Sequence, residues 1–170
     1  EGVRVAIAGL PNAGKSSLLN RLLGMERAIV NEQPGTTRDT IEETACLRGI
    51  LFRLTDTAGL RETLDPVERE GVARSGRAIE NADLVLHIVD ATSPVPSSSL
   101  HEKEILVANK IDLLSSGTSI PAHACGISSK TGEGLPALVD AMIQATGIGQ
   151  LAAGDSLAAI NARHKTLLES

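Results

Sequence analysis

One octapeptide constrains this chain more than any other feature. Gly9-Leu10-Pro11-Asn12-Ala13-Gly14-Lys15-Ser16 fits the pattern G-x-x-x-x-G-K-[ST]. It lies between an apolar run, Val3 to Ala8, and a segment, Ser16 to Leu23, with Leu18, Leu19, Leu22 and Leu23 at helical spacing. A strand, a glycine loop and a helix N-terminus in that order turn backbone N–H groups and the positive end of a helix dipole toward phosphate oxygens. Lys15 adds a point charge for the β- and γ-phosphates, and Ser16 a hydroxyl for Mg²⁺. The bland alternative is a glycine-rich turn with a capping serine, and the strand–loop–helix context argues against it.

The rest of the chain supplies the sheet such a loop requires. Thr44 to Leu54, broken by Gly49, reads as two strands joined by a tight turn. Pro66 to Asn81 reads as a polar amphipathic helix with Val67, Val72 and Ile79 inward. Strands follow at Leu84 to Val89, Ile105 to Ala108 and His123 to Ser128, and a helix closes at Leu135 to Thr146. Short apolar strands alternating with helices predict an α/β fold: a mostly parallel central sheet with helices on both faces. One link resists this reading. A parallel crossover takes about a dozen residues and usually a helix, yet Asp90 to Glu104 is rich in Pro and Ser. Either the crossover is a bare loop or a segment is omitted there, and the omission is the expectation.

Composition narrows the function classes. With 16 Lys+Arg against 21 Asp+Glu the net charge is −5, which argues against a broad phosphate-tracking face. Phe52 is the sole aromatic, so a base-stacking surface for single-stranded nucleic acid is excluded and the core must be Leu, Ile, Val and Ala. Cys46 and Cys125 lack metal-ligand spacing and read as small buried apolar residues, not a disulfide. No apolar run nears the ~20 residues of a membrane span and no signal-peptide pattern opens the chain, so no membrane contact and a cytoplasmic location are expected. The first residue is Glu1, and the chain reads as a fragment of a longer protein.

Three further motifs name the nucleotide. Asp56-Thr57-Ala58-Gly59 ends a strand: the carboxylate can hold a Mg²⁺ shell through water, and Gly59 lets backbone approach a γ-phosphate. In Asn109-Lys110-Ile111-Asp112 the carboxylate can accept from guanine N1–H and the exocyclic amine together. Adenine lacks that donor pair and would leave Asp112 unpaired, a mismatch that discriminates strongly. Asn109 and Lys110 would brace the loop and cover the base plane, and Ser128-Ser129-Lys130 would turn backbone donors toward the guanine oxygen. Each motif alone could be a polar turn. Four in order define a guanine-nucleotide site at the carboxyl ends of parallel strands. Asn31-Glu32-Gln33-Pro34-Gly35-Thr36-Thr37-Arg38-Asp39 is a polar loop broken at Pro-Gly. It carries two threonines where a GTPase needs one hydroxyl for Mg²⁺ and γ-phosphate sensing; a plain surface turn is the other reading of this stretch.

With these motifs in view, the chain resembles the G domains of the MnmE (TrmE) tRNA-modification GTPases, in the TrmE-Era-EngA-like group of P-loop, Ras-like folds. The resemblance covers about Glu1 to Gly147. It rests on EGVRVAIAGLPNAGKSSLLN, AIVNEQPGTTRDTIEE and, most discriminating, GLRETLDPVEREG. It implies a G domain over 1–149 and, at 150–170, a helical tail leading back into a helical domain. The tail's apolar stripe is Leu157, Ile160, His164, Leu167 and Leu168.

The resemblance also implies how GTP is split. Ras-like enzymes place a Gln after D-T-A-G to position water; here Leu60 stands there and cannot. The family uses K⁺ in place of an arginine charge. Carried over, the K⁺ ligands are Asn12, the backbone oxygens of Asn31 and Gln33, and Thr36, with Thr37 on Mg²⁺ beside Ser16. The catalytic set becomes Lys15, Thr37 and Glu68, the last acting through a bridging water; spacing alone makes Glu68 a solvated helix acid. The nucleotide-binding set takes in Ser17, Glu32, Pro34 and Gly35 with the motif residues. Arg61 and Glu62 would be switch-loop residues. His87, His101, His123 and His164 match no motif. Implied partners are GTP and GDP, a second copy joined through the nucleotide face, and MnmG (GidA) and tRNA through the whole protein. A ribosome-assembly GTPase of the Der type is the second reading, and a regulatory module without turnover the third.

Overall fold

The computed structural model describes residues 2–25, 42–57, 76–97 and 100–148. It contains β1 (Val3–Gly9), α1 (Lys15–Met25), β2 (Glu42–Leu47), β3 (Ile50–Asp56), the helical stretch 76–80 labelled α2, β4 (Leu84–Asp90), β5 (Glu104–Asn109), β6 (Ala124–Gly126) and α3 (Leu135–Ala145). A 3₁₀ turn, Ile111–Leu113, follows β5. The strands form one sheet in the order β2-β3-β1-β4-β5-β6, parallel except for the β2–β3 pair.

The antiparallel pair has a local cause. Arg48 and Gly49 both take left-handed backbone, φ 51° and 78°, between the paired residues Leu47 and Ile50. A two-residue loop with both φ positive matches the strand twist and closes a hairpin. This places β2 on the edge and begins it at Glu42, two residues ahead of the apolar pattern.

The core lies on one face of the sheet. Val5 and Ile7 of β1, Phe52 and Leu54 of β3, and Leu84, Leu86 and Ile88 of β4 pack with Leu18 and Leu22 of α1 and with Leu138, Val139 and Met142 of α3. Phe52 is fully buried among them. Ala6, Ala8 and Val85 point to the other face, packed with Ile79 of α2 and Ala82. Central strands are thus buried on both faces, as parallel sheets with helices on each side require. Cys46 and Cys125 are half-buried rather than buried, and both are free thiols.

The omission expected between Asp90 and Glu104 is not needed to close the sheet. β4 and β5 pair in parallel from Val85↔Glu104 to Asp90↔Asn109. The described parts of the connection, 91–97 and 100–103, are turns and irregular chain without helix. They are held by Ala91 N–H on the Asn109 carbonyl, 2.8 Å, and by a His123 Nε2 contact with the Pro96 carbonyl, 3.1 Å. A bare loop suffices because about a dozen residues reach across one strand spacing. The last strand is shorter than expected: Ile127 and Ser128 lie beyond β6. Of the unassigned histidines, His87 sits on β4 with Nε2 3.4 Å from Glu104 Oε1 across the β4–β5 pair. Among the described residues no helix is long and apolar enough to cross a membrane.

Candidate nucleotide site

β1 lies between β3 and β4, so the chain leaves β1 toward one side and later returns on the other. Ligands of open α/β sheets bind at that reversal, outside the strands' carboxyl ends. The glycine loop, Asp56, Asn109 and the Ser128 turn all sit at those ends.

In the phosphate loop, Asn12 takes left-handed backbone at φ 66° and is exposed. Lys15 is buried, and its ammonium donates to the carbonyls of Gly9 and Leu10 at 2.8 Å each. Gly14 has φ 95°, and a Cβ there would lie 2.2 Å from Asn109 Nδ2. Glycine is required because this loop is pressed against the end of β5. Ala13 is buried there, while Ser16 and Ser17 are exposed on the first turn of α1.

Ser16 Oγ donates to Asp56 Oδ2 at 3.1 Å. A hydroxyl and a carboxylate oxygen on one spot fit a small, hard divalent cation that completes its shell with phosphate and water oxygens. Among the described residues no cluster of three or more His, Cys, Asp or Glu could hold a metal by itself. Thr57 holds the end of β3 against β1: its N–H and hydroxyl donate to the Ile7 carbonyl at 3.1 and 2.8 Å.

The base-reading turn is joined to the phosphate loop. Asn109 is buried; its Nδ2 donates to the Ala13 carbonyl at 3.0 Å. Its Oδ1 accepts from Lys110 N–H at 2.8 Å, Ser129 N–H at 3.0 Å and Ser129 Oγ at 3.1 Å. Ser128 Oγ accepts from Thr131 N–H at 3.1 Å and donates to Asp112 Oδ1 at 2.6 Å. Asp112 is otherwise exposed, and Ile111 is half-buried beside it. Ser128 N–H goes to the Glu133 carbonyl at 2.9 Å. The backbone N–H groups of Ser128 and Ser129, expected to turn toward the guanine oxygen, thus have partners within the protein here. Lys130 is exposed.

Three residues at this end carry no motif signal. Arg21 of α1 donates through Nε to the Ser129 carbonyl at 2.6 Å and through its guanidinium to the Lys130 carbonyl. Asp90 accepts from Lys110 Nζ at 2.7 Å and from the Thr92 hydroxyl at 2.6 Å. The Lys110 ammonium first, then the Thr92 hydroxyl and N–H, bring the Asp90 carboxyl down to about 2. An arginine on an amphipathic helix and an Asp at a strand end are common surface features, and the one signal that could have singled out Asp90 and Thr92 is the Asp-x-Thr spacing, which suits an Asx turn.

Asn31, Glu32, Gln33, Pro34, Gly35, Thr36, Thr37, Ala58, Gly59, Leu60, Arg61, Glu62 and Glu68 lie outside the described residues, as does the tail from 149 onward.

A mostly parallel sheet with this loop and this base-reading turn defines a P-loop GTPase, and the family comparison agrees. A family model described as 50S ribosome-binding GTPase matches residues 4–115, more than half of the chain, and the chain belongs to that family. It is a G domain with GTP hydrolase activity. Among solved structures, the cytosolic domain of the T. maritima FeoB iron transporter in a GDP form is 30% identical with a TM-score of 0.62, covering 86% of this chain and 64% of that one. Aquifex aeolicus Era bound to GDP.AlF4- is 28% identical with a TM-score of 0.60, covering 82% and 55%.

The particular relatives are more specific. The tRNA modification GTPase MnmE of Akkermansia muciniphila is 48% identical over 97% of this chain. That of Chlamydia trachomatis serovar L2 is 44% identical over all of it. The chain spans 38% and 39% of the length of those two proteins.

Proposed function

We propose that this G domain is the GTP-hydrolysing part of a protein that modifies tRNA at the wobble uridine, that K⁺ stimulates its turnover, and that it pairs with a second copy through the nucleotide face. The tRNA assignment rests on 44 to 48% identity to proteins named tRNA modification GTPases. On the same basis the whole protein would act with MnmG on tRNA in the cytoplasm.

Asn12 is the observation that carries the cation reading. Its left-handed, exposed placement in the phosphate loop suits an amide oxygen offered beside the β- and γ-phosphates. Asn31, Gln33 and Thr36 would complete a shell of uncharged oxygens, while Ser16 and Thr37 would hold Mg²⁺ with Asp56 behind a water. Bound there, the two cations would supply positive charge that offsets the negative charge on the phosphate oxygens. Lys15 supplies the protein's own positive charge to the same oxygens. Leu60 has no polar side-chain atom to orient water, so that task falls to Glu68 through a bridging water.

The test is single-turnover hydrolysis of GTP in KCl and in NaCl. K⁺ is expected to accelerate it, and Asn12→Ala to bind GTP nearly normally yet lose the K⁺ response, because what is removed is transition-state stabilisation. Glu68→Ala should keep nucleotide affinity and K⁺-dependent pairing while hydrolysis collapses. Equal rates in the two salts for the unmodified chain would reject the potassium reading. The family description, a 50S ribosome-binding GTPase, favours a ribosome-assembly role as the second reading. A second G domain in tandem in the parent chain would support it, and a flanking helical domain would support tRNA modification.

A further inference from the structure

Asp90 stands at the carboxyl end of β4, outside every motif, yet both its carboxylate oxygens are engaged. Oδ1 accepts from Thr92 N–H at 2.9 Å and from the Thr92 hydroxyl at 2.6 Å, which fixes the carboxylate in a tight turn. Oδ2 takes the Lys110 ammonium at 2.7 Å. That ammonium makes a second 2.7 Å bond, to the Asn12 backbone carbonyl 98 positions away in sequence. Lys110 and Asn12 both hold left-handed backbone, at φ 70° and 66°. Neither is glycine, so each conformation needs support from its surroundings.

A lysine reaches by a flexible four-carbon stem and gives up rotamer freedom to stay in one place. The Asn12 carbonyl alone is one neutral acceptor, which water replaces easily. A fixed carboxylate on the opposite side makes the bond charge-assisted and holds the ammonium between two oxygens. The pair is partly buried, with side-chain exposures of 31% for Lys110 and 27% for Asp90, so solvent screens it only in part.

We propose that Asp90 is a positioning residue for nucleotide binding: it holds the Lys110 ammonium on the Asn12 carbonyl and so locks the phosphate loop to the base-reading turn. Asp90 touches no nucleotide and acts through Lys110. With the lock in place, the loop is already shaped before phosphate arrives, and bound nucleotide is released only when the two ends of the site part. The inference rests on guanine-nucleotide binding and not on the potassium reading, which it survives if hydrolysis proves indifferent to the salt.

The test is release of fluorescently labelled GDP, chased with excess unlabelled GDP, from the full chain in both KCl and NaCl. Asp90→Asn keeps the shape and the acceptor for the Thr92 turn but removes the charge. It is expected to speed release roughly tenfold, the size of one charge-assisted hydrogen bond. Lys110→Met should speed it at least as much. Combining the two should release no faster than Lys110→Met alone, because the second change removes a contact already gone. Thr92→Val, which removes the hydroxyl bond to the same carboxylate but keeps the Thr92 N–H bond that fixes it, should stay within twofold of the unmodified chain. Asp90→Asn within twofold of the unmodified chain would overturn the proposal, as would a full additional factor in the double variant. So would release from Thr92→Val as fast as from Asp90→Asn, since the turn and not the ammonium would then matter. A fold lost in Asp90→Asn and kept in Lys110→Met, read by circular dichroism, would assign Asp90 to the fold and overturn it equally.

Discussion

Asp112, the candidate base reader, has its hydrogen-bond-accepting capacity already divided. The Ser128 hydroxyl has taken Thr131 N–H as acceptor, so its own hydrogen is directed at Asp112 Oδ1. This leaves Oδ2 as the outward oxygen. In Asp112→Asn the same hydroxyl would hold the amide oxygen, turning the NH₂ group outward, where it opposes the guanine amine and suits the C2 oxygen of xanthine. GTP affinity should fall by roughly a hundredfold or more, because a donor is left facing a donor, and xanthosine triphosphate should be gained. Competition binding with the two nucleotides measures both, and GTP affinity held within a few-fold would refute the assignment. At this scale the sequence is most informative where a residue's chemistry is unusual for a turn, as at Asn109 and Asp112. It is silent at Arg21, whose role depends on which carbonyls lie above it.

Among elements, the phosphate loop and β5 are built as a pair. Ala13, Gly14 and Asn109 meet so closely that a methyl group at position 14 would collide with the Asn109 amide. Gly14→Ala must either push the loop off β5 or strain its left-handed backbone, at a cost of about 1–3 kcal/mol. Urea denaturation should show that loss, and GDP binding should weaken with it. Strands and helices with strong apolar patterns were legible: β1, the β2–β3 hairpin, α1 and α3 lie where leucine spacing and Gly49 predict. The β4–β5 connection was not, because the expectation of an omitted segment comes from how crossovers are usually made, whereas the sheet requires only reach. The short β6 was overestimated for a related reason. Ile127 is fully buried and reads as strand, yet Ser128 N–H is turned to Glu133 by the Thr131-Gly132 turn.

For the molecule as a whole, bound nucleotide is a source of stability. Its binding groups come from the ends of β1, β3, β5 and the segment after β6, so any ligand there favours the fully assembled sheet. GDP at a hundredfold excess over its Kd should add about 2.7 kcal/mol and raise the melting temperature by several degrees. ADP at the same concentration should leave it unchanged, and an equal rise with ADP would remove the guanine reading. The described part of the candidate site was readable in the sequence because its motifs are contiguous. The connections between them were not, since Asp90 to Lys110 and Arg21 to Ser129 exist only once distant strands lie side by side.

The Asn109 side chain shows when those strands must come together. It bonds to Ala13, 96 positions earlier, and to Ser129, 20 positions later. During synthesis the glycine loop is made before the groups that shape it. A nascent chain stopped before Ser128 would contain the whole phosphate-binding octapeptide and still lack one wall of the base-reading turn. Capacity to hold guanine nucleotide should thus arise abruptly in translation, as the segment beyond β6 clears the exit tunnel, and not gradually from the moment the glycine loop emerges.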